Sequence, residues 1–189
     1  MINDIIQQHK LEKEKLLSKA YIAREQIPHA EKFLNSELVK VITGPRRAGK
    51  SVFAFLLLKD KDFAYINFED ENLLKIKNYD EIIQGIFEVY PDINRIFFDE
   101  IQDLPNWEIF VNKLHRRGYN LILTGSNANL LSKEMASALT GRYIPIEILP
   151  FSFKEFLLAK NRTYQNGVLF SPENKGSLLN LLRIYLCNL

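Results

Sequence analysis

The 189-residue chain, 47% hydrophobic and 25% charged, can build one full-sized folded domain with small appendages, and its composition excludes a disordered chain. Twenty-five Lys and Arg against 23 Asp and Glu leave a formal net charge of +2, too even to indicate nucleic-acid binding by charge alone, although a local basic face stays open. A single cysteine, Cys187, excludes an intrachain disulfide and fits a reducing compartment.

The amino terminus lacks the basic-then-apolar pattern of a signal peptide, and the longest apolar run, residues 52–58, is too short to span a bilayer. A soluble, cytoplasmic protein with no membrane partner is therefore expected. Residues 2–20 predict a polar helix whose weak stripe of Ile2, Ile5, Ile6, Leu16 and Leu17 suits a segment that leans on this domain or on a partner, with a solvated leader as the favoured reading. From residue 38 the pattern turns to alternating strands and helices. Strands are predicted over residues 38–43, 63–68, 95–99, 121–124 and 143–148, and helices over 50–59, 79–90, 105–117 and 130–139. Ile82, Ile83, Ile86, Phe87 and Tyr90 share one face of the 79–90 helix, and Trp107, Phe110, Val111 and Leu114 follow the i, i+3, i+4, i+7 spacing of a buried face. Gly118 suits the end of the latter helix, and Ser152 with Glu155 forms a capping box for a last short one. The β-α alternation predicts a parallel sheet with helices on both faces. Pro145 places the fifth strand at an edge, because proline cannot donate to a central ladder.

Three constellations carry chemistry. Gly44-Pro45-Arg46-Arg47-Ala48-Gly49-Lys50-Ser51 matches G-x-x-x-x-G-K-[ST] between a predicted strand and a predicted helix, the context a phosphate-binding loop requires. Its glycines let backbone N–H groups wrap the phosphates, Lys50 offers a charge to the β- and γ-phosphates, and the Ser51 hydroxyl can ligate Mg2+. The following helix, through Val52, adds the partial positive charge of its N-terminus. The apolar strand Arg95-Ile96-Phe97-Phe98 ends in Asp99 and Glu100, at the sheet edge where ligands bind in open α/β folds. Asp99 is suited to hold Mg2+, and Glu100 to orient and deprotonate an attacking water. Leu121-Ile122-Leu123-Thr124 ends in Gly125, Ser126 and Asn127, where Ser126 or Asn127 can bond the γ-phosphate or the lytic water; a plain turn is the plainer reading of the same residues. The guanine-reading Asn-Lys-x-Asp is not matched by Asn112-Lys113-Leu114-His115, which tilts the nucleotide to ATP.

Residues 21–158 resemble the poorly characterised prokaryotic ATPases of the AAA+ superfamily that carry a further domain after the ATPase core. The likeness rests on the two motifs above and on Asn106-Trp107, Leu123-Thr124-Gly125-Ser126, Leu139-Thr140-Gly141-Arg142 and Leu149-Pro150-Phe151-Ser152-Phe153-Lys154-Glu155-Phe156. It implies an α/β P-loop NTPase with an additional strand, a parallel five-stranded sheet of order 5-1-4-3-2, Asp99 on magnesium, Glu100 as base and a sensor at Ser126 or Asn127. Arg142 then reads equally as a finger or sensor for γ-phosphate charge and as a structural ion pair. Arg46 and Arg47 match the family pattern and are open to a role toward a neighbouring subunit in a homo-oligomer. The organisation expected is a helical leader at 1–37, the ATPase core at 38–160, and a short helical segment at 161–189, read as the start of a truncated following domain.

Other candidates carry less. His9, His29 and His115 show no metal-ligand spacing with Cys187. His115-Arg116-Arg117 reads as charge suited to a helix C-terminus, Glu69-Asp70-Glu71 as a solvated loop, and Trp107 as a packing residue. The function expected is binding and Mg2+-dependent hydrolysis of ATP; the alternative is a nucleotide-binding switch or assembly module with little turnover. A nucleic-acid or protein partner is left open.

Overall fold

A computed structural model describes residues 1–125, 139, 141–162 and 172–186. Strands β1 (Val39–Thr43), β2 (Ala64–Asn67), β3 (Arg95–Asp99), β4 (Asn120–Gly125) and β5 (Tyr143–Glu147) form a parallel sheet in the order β2-β3-β4-β1-β5. This is the expected 5-1-4-3-2 order, with β4 inserted between β1 and β3. Pro145 lies on edge strand β5, opposite Val41, where its missing N–H leaves no central ladder broken.

Helices cover both faces, which is why the strands read as nearly continuous apolar runs. Alternate residues divide between two cores, as the two-residue strand period demands. Val39, Val41, Ala64, Ile66, Ile96, Phe98, Leu121 and Leu123 face α5 (Tyr79–Val89) and α6 (Trp107–Arg116). Ile42, Tyr65, Phe97, Ile122 and Ile146 face α3 (Lys50–Leu58) and α2 (Ile27–Glu31). Trp107 is 3% exposed and belongs to the first core, as a packing residue should. Helix α6 ends at Gly118, whose φ of +85° allows its N–H to reach His115 O at 3.0 Å.

Helix α1 (Ile2–Leu17) departs from the solvated leader that its polar sequence suggests. Ile5 and Ile6 sit in the α5-side core, while Leu16 and Leu17 pack on the α3-side core, so the helix lies along edge strand β2. Asn67 N donates to His9 Nδ1 at 3.4 Å, and Lys13 Nζ donates to Phe63 O at 2.9 Å. Side chains one helical turn apart thus occupy backbone groups at the two ends of β2, on Asn67 and on Phe63 just before the strand, along its outer edge. A weak apolar stripe hid this because much of the attachment is polar.

With Nδ1 accepting, the His9 proton resides on Nε2, which donates to Asp70 Oδ2 at 3.2 Å. Asp70 also caps the short helix α4 (Glu71–Leu74) by accepting from Asn72 N at 2.8 Å, so the acidic run at 69–71 is not simply a solvated loop. Burial lowers the His9 pKa from its ordinary 6.5, against the opposite pull of Asp70 and Glu12. Below pH 6.5 the unfolded chain therefore binds the proton more readily, and stability is lost as the pH falls. His9→Gln keeps an acceptor and a donor but cannot titrate. Urea unfolding from about pH 7 to about pH 5 is expected to show a shallower acid loss for this variant, the difference bounded by about 1.4 kcal/mol per pH unit for one proton. Equal slopes would remove His9 from the account.

Helix α7 (Phe153–Ala159) begins with the expected capping box: Glu155 N donates to Ser152 Oγ at 3.2 Å and Ser152 N to Glu155 Oε2 at 2.9 Å. Helix α8 (Pro172–Leu186) follows, with Tyr185 OH donating to Phe151 O at 2.8 Å. The helix expected over residues 130–139 lies, but for Leu139, outside the described residues. Among the described residues, no helix is long and apolar enough to cross a membrane.

Candidate nucleotide site

The site gathers at the carboxyl ends of β1, β3 and β4. After Thr43 the chain turns at Gly44, runs through an exposed Arg46 and Arg47, and enters α3 at Lys50. Gly44 has φ +147°, and a Cβ there would lie 2.0 Å from Ile148 O, so only glycine passes beside the end of β5. Gly49, at φ +85°, is the N-cap of α3. Lys50 is 5% exposed, and its Nζ donates to Pro45 O at 3.2 Å across the loop.

Ser51, on the first turn of α3, donates from Oγ to Asp99 Oδ1 at 2.8 Å. Thr124 on β4 donates to the same oxygen, and Tyr65 on β2 donates to Oδ2 at 3.3 Å. Two strands and a helix thus converge on one carboxylate of a third strand, β3, that is 5% exposed. Burial pushes the Asp99 carboxyl up to about 6, opposed by the hydrogen bonds from Thr124 and Ser51 and reinforced by the negative Glu100 beside it. A cation at this position would restore the ionised form.

Glu100 follows in the left-handed region, with φ 48° and ψ 50°, and opens a 3-10 turn at Ile101–Asp103. Its N–H donates to Thr124 Oγ1 at 3.0 Å, and its Oε2 accepts from Gln102 Nε2 at 2.7 Å. The abrupt turn separates the two acids: Asp99 faces the loop serine, while Glu100 stands outside the strand.

The structure brings together Gly44, Lys50, Ser51, Asp99 and Glu100. It does not bring Arg142 to them. Arg142 precedes β5, its carbonyl accepting from Val39 N at 3.0 Å, at the amino end of the sheet. From Tyr143 to Glu147, which pairs with Thr43, is roughly 13 Å of strand. Arg142 is exposed there, so the arrangement gives it no path to its own loop. Ser126 and Asn127 lie outside the described residues; β4 ends at Gly125, opposite Thr43.

Several features escaped the sequence reading. A cavity of about 360 Å³ adjoins the loop, with Tyr21, Ile22, Val52, Pro150 and Phe151 among its walls. Beside it Arg24, 5% exposed, bonds the loop itself, its Nη1 donating to Ala48 O at 3.0 Å. Nothing in the spacing of residues 20–26 marks them. Thr124 was visible as a polar end to an apolar strand, although its partner was not.

A family model described as "AAA domain" matches residues 36–157. An uncharacterized protein of Methanocaldococcus jannaschii, MJ1544, is 42% identical over 154 residues, covering 78% of this chain and 34% of that protein. An uncharacterized protein of Haemophilus influenzae is 42% identical over 170 residues, covering 81% of this chain and 42% of that protein. The chain thus spans well under half the length of these relatives. Among solved structures, the Walker-type ATPase PABY2304 of Pyrococcus abyssi superposes with a TM-score of 0.51 at 18% identity, over 82% of this chain and 65% of that one, a likeness of fold. With an inserted fourth strand in its sheet and a family match over residues 36–157, the chain belongs to the AAA domain family and is an AAA-type, nucleotide-binding ATPase-like domain.

Proposed function

We propose that this domain binds ATP with Mg2+ at residues 44–52 and hydrolyses it, with Glu100 as the base. The observation that carries this reading is the 2.8 Å bond from Ser51 to Asp99, which joins the phosphate loop to the acidic strand. The two oxygens, Ser51 Oγ and Asp99 Oδ1, are hard donors of the kind Mg2+ takes. Among the described residues no group of three His, Cys, Asp or Glu is placed to hold a metal ion by itself. This donor set fits an ion that also takes phosphate and water oxygens, not a free-standing metal site. Bound there, Mg2+ would neutralise phosphate charge.

The chain's own groups supply the rest. The loop N–H groups and the α3 N-terminus receive the phosphates, and Lys50 leaves Pro45 O to meet them. The apolar and aromatic walls of the adjoining cavity suit a nucleobase, stacked near Phe151 or Tyr21. Glu100 takes a proton from water as the water oxygen bonds to the γ-phosphorus and the bond to the bridging β,γ-oxygen breaks, ADP keeping the electron pair. Asn127 is the proposed sensor. Arg142, placed at the far end of the sheet, could reach a γ-phosphate only on a second copy of the chain. The single cysteine supports a reducing, cytoplasmic setting.

A second reading, a nucleotide-binding switch with little turnover, draws support from the Gln102 amide that engages Glu100 Oε2. Binding itself is tested by Lys50→Ala. A titration with Mg-ATP is expected to show affinity reduced by about a hundredfold or more, since a buried charge-assisted contact is lost. Wild-type affinity in that variant would show that residues 44–52 are not the phosphate site.

A further inference from the structure

We propose that Arg24, anchored by Glu155, is a positioning residue for the phosphate loop, a role that rests on the nucleotide-binding reading above. The guanidinium spends its donors on three segments distant in sequence. Nη1 donates to Ala48 O at 3.0 Å, Nη2 to Leu149 O at 2.6 Å, and Nε to Glu155 Oε1 at 3.1 Å. Both side chains of the ion pair are 4% exposed. Phe151 lies over the guanidinium, its ring centre 5.1 Å from Arg24 Cζ.

The bond to Ala48 is the one with consequences for ligand. A trans peptide is planar, so its C=O and the next N–H point in opposite directions. Holding Ala48 C=O toward Arg24 therefore turns Gly49 N–H the other way, away from Arg24, as one of the N–H groups that receive the phosphates in the reading above. Gly49 can be turned so because its φ of +85° is accessible to glycine, and the space where its Cβ would stand is 3.5 Å from Arg24 Nη1. A preset N–H needs no reorientation when an anion arrives.

Glu155 is built to hold the arginine still. Its Oε1 also accepts from Glu25 N at 2.8 Å, and its Oε2 from Ser152 N at 2.9 Å, so both oxygens are fixed by backbone groups. Its place in the capping box concealed this second task. A lysine in place of Arg24 would keep the charge but lose the planar fork that reaches three acceptors.

The experiment measures Mg-ATP affinity at a temperature where every protein is folded, for wild type, Arg24→Lys, Glu155→Gln and the double variant. Each single change is expected to weaken ATP binding, Arg24→Lys by about tenfold. The double variant should bind no more weakly than Arg24→Lys, because one acts through the other. A pair with a purely structural task would lower the melting temperature and leave the affinity of the folded protein unchanged, and that result overturns the proposal. Should Arg24→Lys not fold, Glu155→Gln decides by the same criterion. If the wild type itself does not bind Mg-ATP, the functional reading fails first; if it binds and the variants bind equally, only the role of Arg24 fails.

Discussion

Glu100→Gln is expected to bind Mg-ATP as the wild type does while phosphate release falls by about two to four orders of magnitude, the usual contribution of a positioned general base. The change is nearly isosteric. The amide cannot take up a proton, yet the backbone that places it is untouched, since Glu100 N remains on Thr124 Oγ1 and the left-handed turn into Ile101–Asp103 does not depend on the carboxylate. Asp99, Ser51 and Lys50 keep their contacts, so the determinants of binding stay in place. Phosphate release would be followed under saturating Mg-ATP in both proteins. Equal release from both would remove Glu100 as the base. Binding without release from either would favour the switch reading, with Gln102 holding the acid in its resting position.

The largest effect on stability is expected at Gly44. In Gly44→Ala the new Cβ would meet Ile148 O at 2.0 Å and Ile148 C at 3.0 Å, both backbone atoms, so no rotamer change can relieve the contact. The φ of +147° adds strain for any L side chain. Overpacking and backbone strain together amount to about 2–5 kcal/mol. Relief requires β5 to move off β1, which breaks the 2.7 Å bond from Ile148 N to Thr43 O at the root of the loop. Urea unfolding should therefore report a marked loss of stability together with weakened ATP binding. A midpoint equal to that of the wild type would show that β5 yields freely and that the glycine serves only the loop conformation.

Much of the site was legible because its signals are local. Residues 44–51 carry their own spacing, and the apolar strand ending in Asp99 and Glu100 announces both its burial and its acidic end. The place of β4 between β1 and β3, and of Pro145 at the edge, followed from strand chemistry and family resemblance together. What stayed hidden depends on contacts between distant parts of the chain. Arg24 meets Glu155 across 131 positions, and Tyr65 meets Asp99 across 34. Helix α1 looked weakly amphipathic because His9 and Lys13 attach it through backbone groups of Asn67 and Phe63 at the ends of β2, a partnership invisible to hydrophobic periodicity. Arg142 stayed open between two roles for a related reason: its position in the chain says nothing about which end of the sheet it occupies.

The order of the strands also governs when the domain can mature during synthesis. β1, which leads into the proposed phosphate loop, lies between β4 and β5, the last two of the five described strands to be made. Until β4 (Asn120–Gly125) has emerged, β1 has no lateral partner on either side, and its second side stays open until residue 147, although α3 and β2 follow it directly. Gly44 and Ala48 then await Ile148 and, through Arg24, Glu155. On the function proposed above, nucleotide therefore cannot help the first two-thirds of the given sequence to fold as it is made. Non-local pairing of this kind closes slowly, and the unpaired hydrophobic strand is what a chaperone would meet on the ribosome.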